Sequence, residues 1–275
     1  MGPASGRALH IGLNRVDPDH YDGWDGALAG CEPDARDMKD LAESKGFTST
    51  ILLNDEARSD VVLGEIADVA ESLGPGDIFF LTYSGHGGQV PDGNGNDEAD
   101  KQDETWVLFD RQVVDDELFA LWGSFAAGVR IVVLSDSCHS GSVVRQAFYK
   151  KSPANEVAGA TFKYLPRKVQ DATYEKHKDE YDAIQDRNPH GDTVGIGAML
   201  LLISGCQDNQ FSRDGAENGL FTQTLKEVWD SGGFPGGYRT FHKEIVDRMP
   251  SDQTPNYYRL GVIDPVFEHQ SPFTI

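Results

Sequence analysis

The chain alternates between two textures. Runs of unbroken apolar character, "ALHIGLN", "FTSTILLN", "DIFFLTYSG", "VRIVVLSD" and "AMLLLISGC", are rich in β-branched and aromatic residues and stop at small or turn-forming ones. Such runs predict strands buried on both faces. Between them the apolar positions recur every three or four residues. "EPDARDMKDLAESKG" aligns Ala35, Met38, Leu41 and Ala42 and stops at Gly46, while "SDVVLGEIADVAESLG" starts at a Ser/Asp cap, aligns Val62, Ile66, Val69 and Leu73, and stops at Gly74. These are amphipathic helices with recognisable ends. "DDELFALWGSF", "GLFTQTLKEVWDSGG" and "TFHKEIVDRM" predict further helices, and "TWVLFD" and "YYRLGVID" read as extended. Strands and helices in alternation imply an α/β fold with a largely parallel sheet covered on both faces.

Past residue 145 the pattern loosens. "KKSPANEVAGATFKYLPRKVQDATYEKHKDEYDAIQDRNPHGD" is charged, nearly strand-free and longer than an ordinary connection, so it predicts an exposed linker with some helix. One domain results, with a larger portion over about residues 1–145, the linker over about 146–192 and a smaller portion over about 193–275. No run of about 18 apolar residues is present to span a bilayer. "MGPASGRALHIGLN" has one arginine and no apolar core of signal-peptide length, so the expected location is the cytoplasm. Cys31, Cys138 and Cys206 are too few and too scattered for a disulfide framework or a CxxC metal site and suit free thiols. A net charge of −21 argues against nucleic acid and favours cationic partners, bound cations or simple solubility.

In open parallel sheets, functional residues gather at the carboxyl ends of strands. Two ends carry chemistry here: "FFLTYSGHGG" delivers His86 and "VRIVVLSDSCHSG" delivers Cys138, each in a small-residue turn. If the strands are neighbours, imidazole and thiol meet, and a thiol with an ordinary pKa of about 8.5 needs such a partner to react as thiolate. Alone, either residue reads as structural. Together, 52 residues apart, they match a caspase-type histidine about 50 residues before its cysteine.

These motifs resemble a known family. "YSGHGG" and "DSCHSG" are similar to the dyad motifs of metacaspases and bacterial orthocaspases, "GCEPDARDM" to their early GC-x-x-DA motif, and "LLISGCQDNQ" to the start of their smaller portion; the resemblance spans about residues 8–275. It implies a caspase-like three-layer α/β sandwich on a mostly parallel six-stranded sheet with helices on both faces. It also implies a cysteine endopeptidase acting as a monomer on protein or peptide substrates after arginine or lysine, with His86 and Cys138 as the dyad. Backbone N–H groups of Gly87 and Cys138 would hold the tetrahedral oxygen. A cationic side chain needs desolvated carboxylates, and by resemblance these are Asp34 and Asp136, with Ser84 and Cys31 lining the pocket. Asp34 also reads as an acid at a helix N-terminus. Caspases proper cut after aspartate, and their QAC-x-G signature is absent here. Relatives cut themselves in the linker, where Arg145, Lys150, Lys151, Arg167 and Lys168 are candidates.

The chemistry itself requires no cofactor. "DGNGNDEADKQD" has oxygen ligands at EF-hand-like spacing, but Asp97 replaces the turn glycine and Asp103 the terminal Glu, so it fails as an EF-hand. Many metacaspases are activated by calcium, and Asp103, Asp115 and Asp116 resemble their ligand positions; Arg145 stands where a further acid belongs. A solvated acidic loop is the competing reading. A legumain-like or gingipain-like peptidase, and a non-catalytic caspase-like scaffold or calcium-responsive interaction module, are the alternatives on function.

Overall fold

The computed structural model describes residues 2–93, 102–138, 161–188, 194–207 and 210–275. Its main sheet is assembled from β1 (Gly6–Gly12), β2 (Thr48–Leu53), β3 (Ile78–Ser84), β7 (Arg130–Asp136), β8 (Met199–Ser204) and β9 (Asn256–Gly261), in the order β2-β1-β3-β7-β8-β9. All neighbours are parallel except β9, which runs antiparallel to β8. Every residue of β3 and β7 is buried, which is why these central strands lack the polar alternation of a half-exposed strand.

Side chains alternate between two cores. Leu9, Phe79, Leu81, Ile131 and Val133 face α2 (Ser59–Ser72) and α3 (Asp115–Ser124), which contribute Val62, Ile66, Val69, Leu118 and Trp122. On the other face Ala8, Phe80, Val132, Leu134 and Ile203 meet α1 (Cys31–Ser44), α6 (Leu220–Trp229) and α7 (Tyr238–Arg248) through Met38, Leu41, Phe221, Leu225, Phe241 and Ile245. The result is the largely parallel sheet covered on both faces that the sequence pattern predicts, in the three-layer, six-stranded form that the family resemblance implies. A short α8 (Pro265–His269) follows β9.

Two features differ from the sequence reading. The glycines after His86 do not end in a turn: β4 (Gly87–Pro91) starts there and pairs with β5 (Gln102–Val107) and β6 (Gln112–Val114) in a small antiparallel sheet. Gly-Gly carries no strand propensity, so this strand is made by its partners. The second difference concerns the expected exposed linker, which contains α4 (Arg167–Lys176) and α5 (Lys178–Gln185) but also the buried residues Lys163, Leu165 and Tyr181. A lone lysine reads as solvent-facing from its own chemistry; this one is buried because distant acids receive it.

Candidate active site

Strands β3 and β7 are direct neighbours, with Ser84 opposite Asp136. Two residues beyond each, His86 and Cys138 leave the sheet at the same edge, both buried. The backbones touch: a Cβ on Gly87 would lie 2.0 Å from the Cys138 carbonyl oxygen, so only glycine fits there. The N–H groups of Gly87 and Cys138 converge on one oxygen, the carbonyl of Lys163, at 3.1 and 3.0 Å.

His86 is oriented from behind. Its Nε2 lies 2.9 Å from the Gly26 carbonyl, which can only accept, so the ring is assigned a proton on Nε2 and a lone pair on Nδ1. Gly26 has φ +63°, a left-handed conformation that favours glycine. Trp24 packs on the imidazole with ring centroids 4.7 Å apart, and the Tyr83 hydroxyl holds the His86 carbonyl at 2.7 Å. Burial lowers the pKa of His86 to about 4, against the pull of the Gly26 carbonyl and with a further push from the Lys163 ammonium. The ring is therefore neutral at physiological pH, and its Nδ1 is buried with no hydrogen-bond partner among the described residues. The Cys138 thiol receives the Ser212 N–H at 2.6 Å.

Beside His86 and Cys138 lies an acidic pocket, and it is full. The Lys163 ammonium, 0 % exposed, sits 2.7 Å from Asp136 Oδ2, 2.9 Å from Asp34 Oδ2 and 2.9 Å from Ser84 Oγ, three acceptors for three donors. The acids are held in turn. Asp34 Oδ1 accepts from Asn218 Nδ2 at 2.9 Å and the Gly219 N–H at 3.0 Å. Asp136 Oδ1 accepts the Ser212 hydroxyl, which accepts from Gln253 Nε2 at 2.9 Å. Burial opposes the charge on Lys163, but Asp136 and Asp34 together outweigh it and hold the amine protonated. The same burial, with Asp34 adding to it and Lys163 opposing, pushes Asp136 up, making it an acid that gives up its charge as pH falls. Cys31 borders this cluster: burial raises its thiol pKa while Lys163 draws it back.

Residues 161–165 lie in the cleft as a strap that bends at Lys163, where the Tyr164 N–H donates to the Phe162 carbonyl at 3.0 Å, with one antiparallel bridge from Phe162 to Arg213 and one parallel bridge from Tyr164 to Gly87. The Lys163 N–H donates to the Ser212 carbonyl (3.0 Å), the Asp214 N–H to the Thr161 carbonyl (2.8 Å), and the Leu165 N–H to the Gly87 carbonyl (2.8 Å). Phe162 and Tyr164, on the same side of the strap, pack their rings on Phe211 with centroids 5.3 and 5.0 Å apart.

The structure thus brings together His86, Gly87, Cys138, Asp34, Ser84, Asp136 and Cys31. Arg167 and Lys168 form the first turn of α4; Arg145, Lys150 and Lys151 lie outside the described residues. Asp103 is buried in β5 and accepts from Gln185 at 2.6 Å, and Asp115 and Asp116 open α3. Most of the Asp92–Asp103 loop is outside the described residues. Among those described, the converging group of potential metal ligands is elsewhere, at His20, His177 and Glu180. Lys163, Ser212, Gln253 and the Gly26 carbonyl were not singled out by the sequence. Lys163 left a signal: "TFKYLP" is an apolar, aromatic island around one basic residue within a charged stretch.

The model of the caspase domain family of peptidases matches residues 5–267. The chain belongs to the caspase-domain peptidases. This caspase-domain chain is 29% identical over 248 residues to Metacaspase-1 of Mycosarcoma maydis, covering 78% of itself and 59% of that protein. It is 34% identical over 151 residues to Metacaspase-4 of Arabidopsis thaliana, covering 51% of itself and 35% of that protein. It therefore spans little more than half, or less, of these curated relatives. Among solved structures it superposes on a protein from Geobacter sulfurreducens with 51% identity and a TM-score of 0.91, covering 98% of itself and 99% of that chain. With Caspase-1 from Spodoptera frugiperda it shares the fold, at a TM-score of 0.55 and 14% identity over 94% and 86% of the two chains. No helix among the described residues is long and apolar enough to cross a membrane.

Proposed function

We propose that this caspase-domain protein is a cysteine endopeptidase that cuts after lysine or arginine, and that its uncut form carries its own first substrate. Cys138 is the nucleophile, His86 the proton carrier, and the N–H groups of Gly87 and Cys138 hold the developing oxyanion. Asp34, Asp136 and Ser84, bordered by Cys31, receive the basic side chain. The observation that carries the reading is Lys163, whose ammonium lies between the acids while its carbonyl accepts from both N–H groups. A substrate residue before the scissile bond needs both contacts at once. Self-cleavage accordingly falls between Lys163 and Tyr164.

In this mechanism the lone pair on His86 Nδ1 takes the proton of the Cys138 thiol as sulfur adds to the carbonyl carbon, the same proton passes to the departing amine as the C–N bond breaks, and water, giving its proton to His86, hydrolyses the thioester and restores the thiol. The experiment is hydrolysis of matched fluorogenic peptides ending in Arg, Lys, Asp or Asn by wild type and Cys138→Ala, with calcium and with chelator, alongside intact-mass analysis of both proteins. The expected result is Cys138-dependent cleavage after Lys or Arg and a wild-type cut after Lys163. Activity retained in Cys138→Ala, or a preference for Asp, overturns the reading. Silence in every lane with an uncut chain favours the non-catalytic scaffold, and the chelator lanes decide whether calcium acts as an activator.

A further inference from the structure

We infer that the cut after Lys163 is reversible within the molecule: the chain rejoins Lys163 to Tyr164, and cut and uncut forms interconvert at one site. The inference rests on the cleavage proposed above. Its basis is that the two flanks of the bond are anchored independently. The acyl side is held by the three contacts of the Lys163 ammonium, by the Lys163 N–H on Ser212 and by the Thr161 carbonyl on Asp214. The amine side is built into the protein. Leu165 is 1 % exposed within the core that lines one face of the main sheet, and its N–H bonds the Gly87 carbonyl. Pro166 then leads into α4, where Gln170 Oε1 accepts the Gln89 N–H of β4 at 2.9 Å.

Breaking the Lys163–Tyr164 bond removes none of these contacts. An ordinary substrate loses its amine fragment to solvent once the acyl-enzyme forms. Here the new amine of Tyr164 stays beside the carbonyl it left, one residue from an anchor in the core. Groups held in this way react as though present at effective concentrations far above those of free solutes.

The reverse step balances without any further reagent. The Cys138 thiol displaces water from the Lys163 carboxyl group and re-forms the thioester. The unprotonated Tyr164 amine attacks the thioester carbon; the C–N bond forms, the C–S bond breaks, and the amine proton passes through His86 to the departing sulfur. The N–H groups of Gly87 and Cys138 stabilise the tetrahedral oxygen in both directions, as any catalyst of a reversible step must.

Heavy-oxygen water tests this on the full chain. Wild type and Cys138→Ala are incubated in water enriched in oxygen-18, and the peptide containing Lys163 is weighed from both cut and uncut chains. Hydrolysis places one heavy oxygen in the Lys163 carboxylate, and rejoining carries it into the restored peptide carbonyl. The expected result is label in the uncut wild-type chain, a second heavy oxygen accumulating in the cut chain, and neither in Cys138→Ala. A cut chain with a single heavy oxygen beside an unlabelled uncut chain overturns the rejoining and leaves the cleavage standing. No cut and no label in wild type overturns both. Leu165→Ala, which loosens the amine side, is expected to lower the labelled uncut fraction several-fold; an unchanged fraction in a variant that still folds overturns the anchoring.

Discussion

Replacing Lys163 with methionine in a Cys138→Ala background keeps the chain uncut and removes one charge from the pocket. Methionine nearly matches the length and volume of the lysine stem, so the cavity contribution is small. What remains is two buried carboxylates that have lost their ammonium at 2.7 and 2.9 Å. Removing one partner of a buried ionic cluster costs about 3–5 kcal/mol. The upper end applies if the strap stays in the cleft; if residues 161–165 swing out and water enters, the loss falls toward the value of the strap's own contacts. The dependence on pH has a definite sign. Burial already raises the Asp136 pKa with the ammonium present, and without it the folded-state value rises further above the unfolded one. The variant is then stabilised by protonation and loses stability as pH rises through that pKa. The gap to the parent is widest at neutral pH and narrows as pH falls toward about 5. Urea unfolding of both proteins at the two pH values measures it. A gap below about 1 kcal/mol at neutral pH, the range of an exposed ion pair, or a gap that widens on acidification, refutes the account of a charged lysine buried between acids.

Three further outcomes follow from the same geometry. In Cys138→Ala, nitrogen NMR of His86 is expected to show a neutral ring with a midpoint near 4, so stability contributed by the neutral ring is lost as pH falls from about 6.5 through 4; a midpoint at or above the ordinary histidine value contradicts the burial argument. Gln253→Ala removes the donor that fixes Ser212 on Asp136, about 1 kcal/mol of pocket order, and is expected to raise KM for lysyl peptides several-fold with kcat little changed; a loss confined to kcat would place Gln253 in the chemistry instead. Gly219→Ala puts a methyl 2.4 Å from Asp136 Oδ2 and 2.5 Å from Lys163 Nζ, so cleavage after lysine should be abolished in a protein that still unfolds cooperatively, and wild-type kcat/KM in that variant would show the pocket to be looser than drawn.

Much of the fold was legible because each central strand is buried on both faces. Phe79 to Tyr83 and Ile131 to Leu134 advertise that burial in their own composition, and two parallel neighbours ending together make His86 and Cys138 a pair. The pocket acids were reached through motif resemblance, and their surroundings were not. Ser212, Gly219 and Gln253 come from the C-terminal portion and meet Asp34 and Asp136 only through tertiary packing, with no spacing that announces it. The orienting group of His86 was invisible for a different reason: it is the backbone carbonyl of Gly26, which every residue type possesses. Lys163 illustrates the strongest limit. Its side chain prefers water, and only the joint presence of two acids and a hydroxyl from three other segments reverses that preference.

The connectivity explains why the strap finds the pocket. Strand β7 ends at Asp136, two residues before Cys138, whereas β8 runs parallel to it and begins at the opposite end of the sheet, so the chain between them leaves at the cleft and returns at the other end. Ser212, which helps complete the pocket, also pairs its backbone with Lys163. The C-terminal portion therefore both completes the surroundings of Asp136 and pairs with the backbone of the strap. A tethered ligand of this kind is present at an effective concentration on the order of millimolar, above any protein substrate at micromolar level. If the proposed cleavage after Lys163 occurs, external peptides are expected to compete poorly until the Lys163 side leaves, with the anchored Tyr164 side remaining to oppose them. Turnover of an external lysyl peptide should then lag behind the first appearance of the cut chain and rise as the Lys163 fragment is exchanged for substrate. Turnover that starts at full rate with the chain uncut would mean that the strap already leaves the pocket unaided.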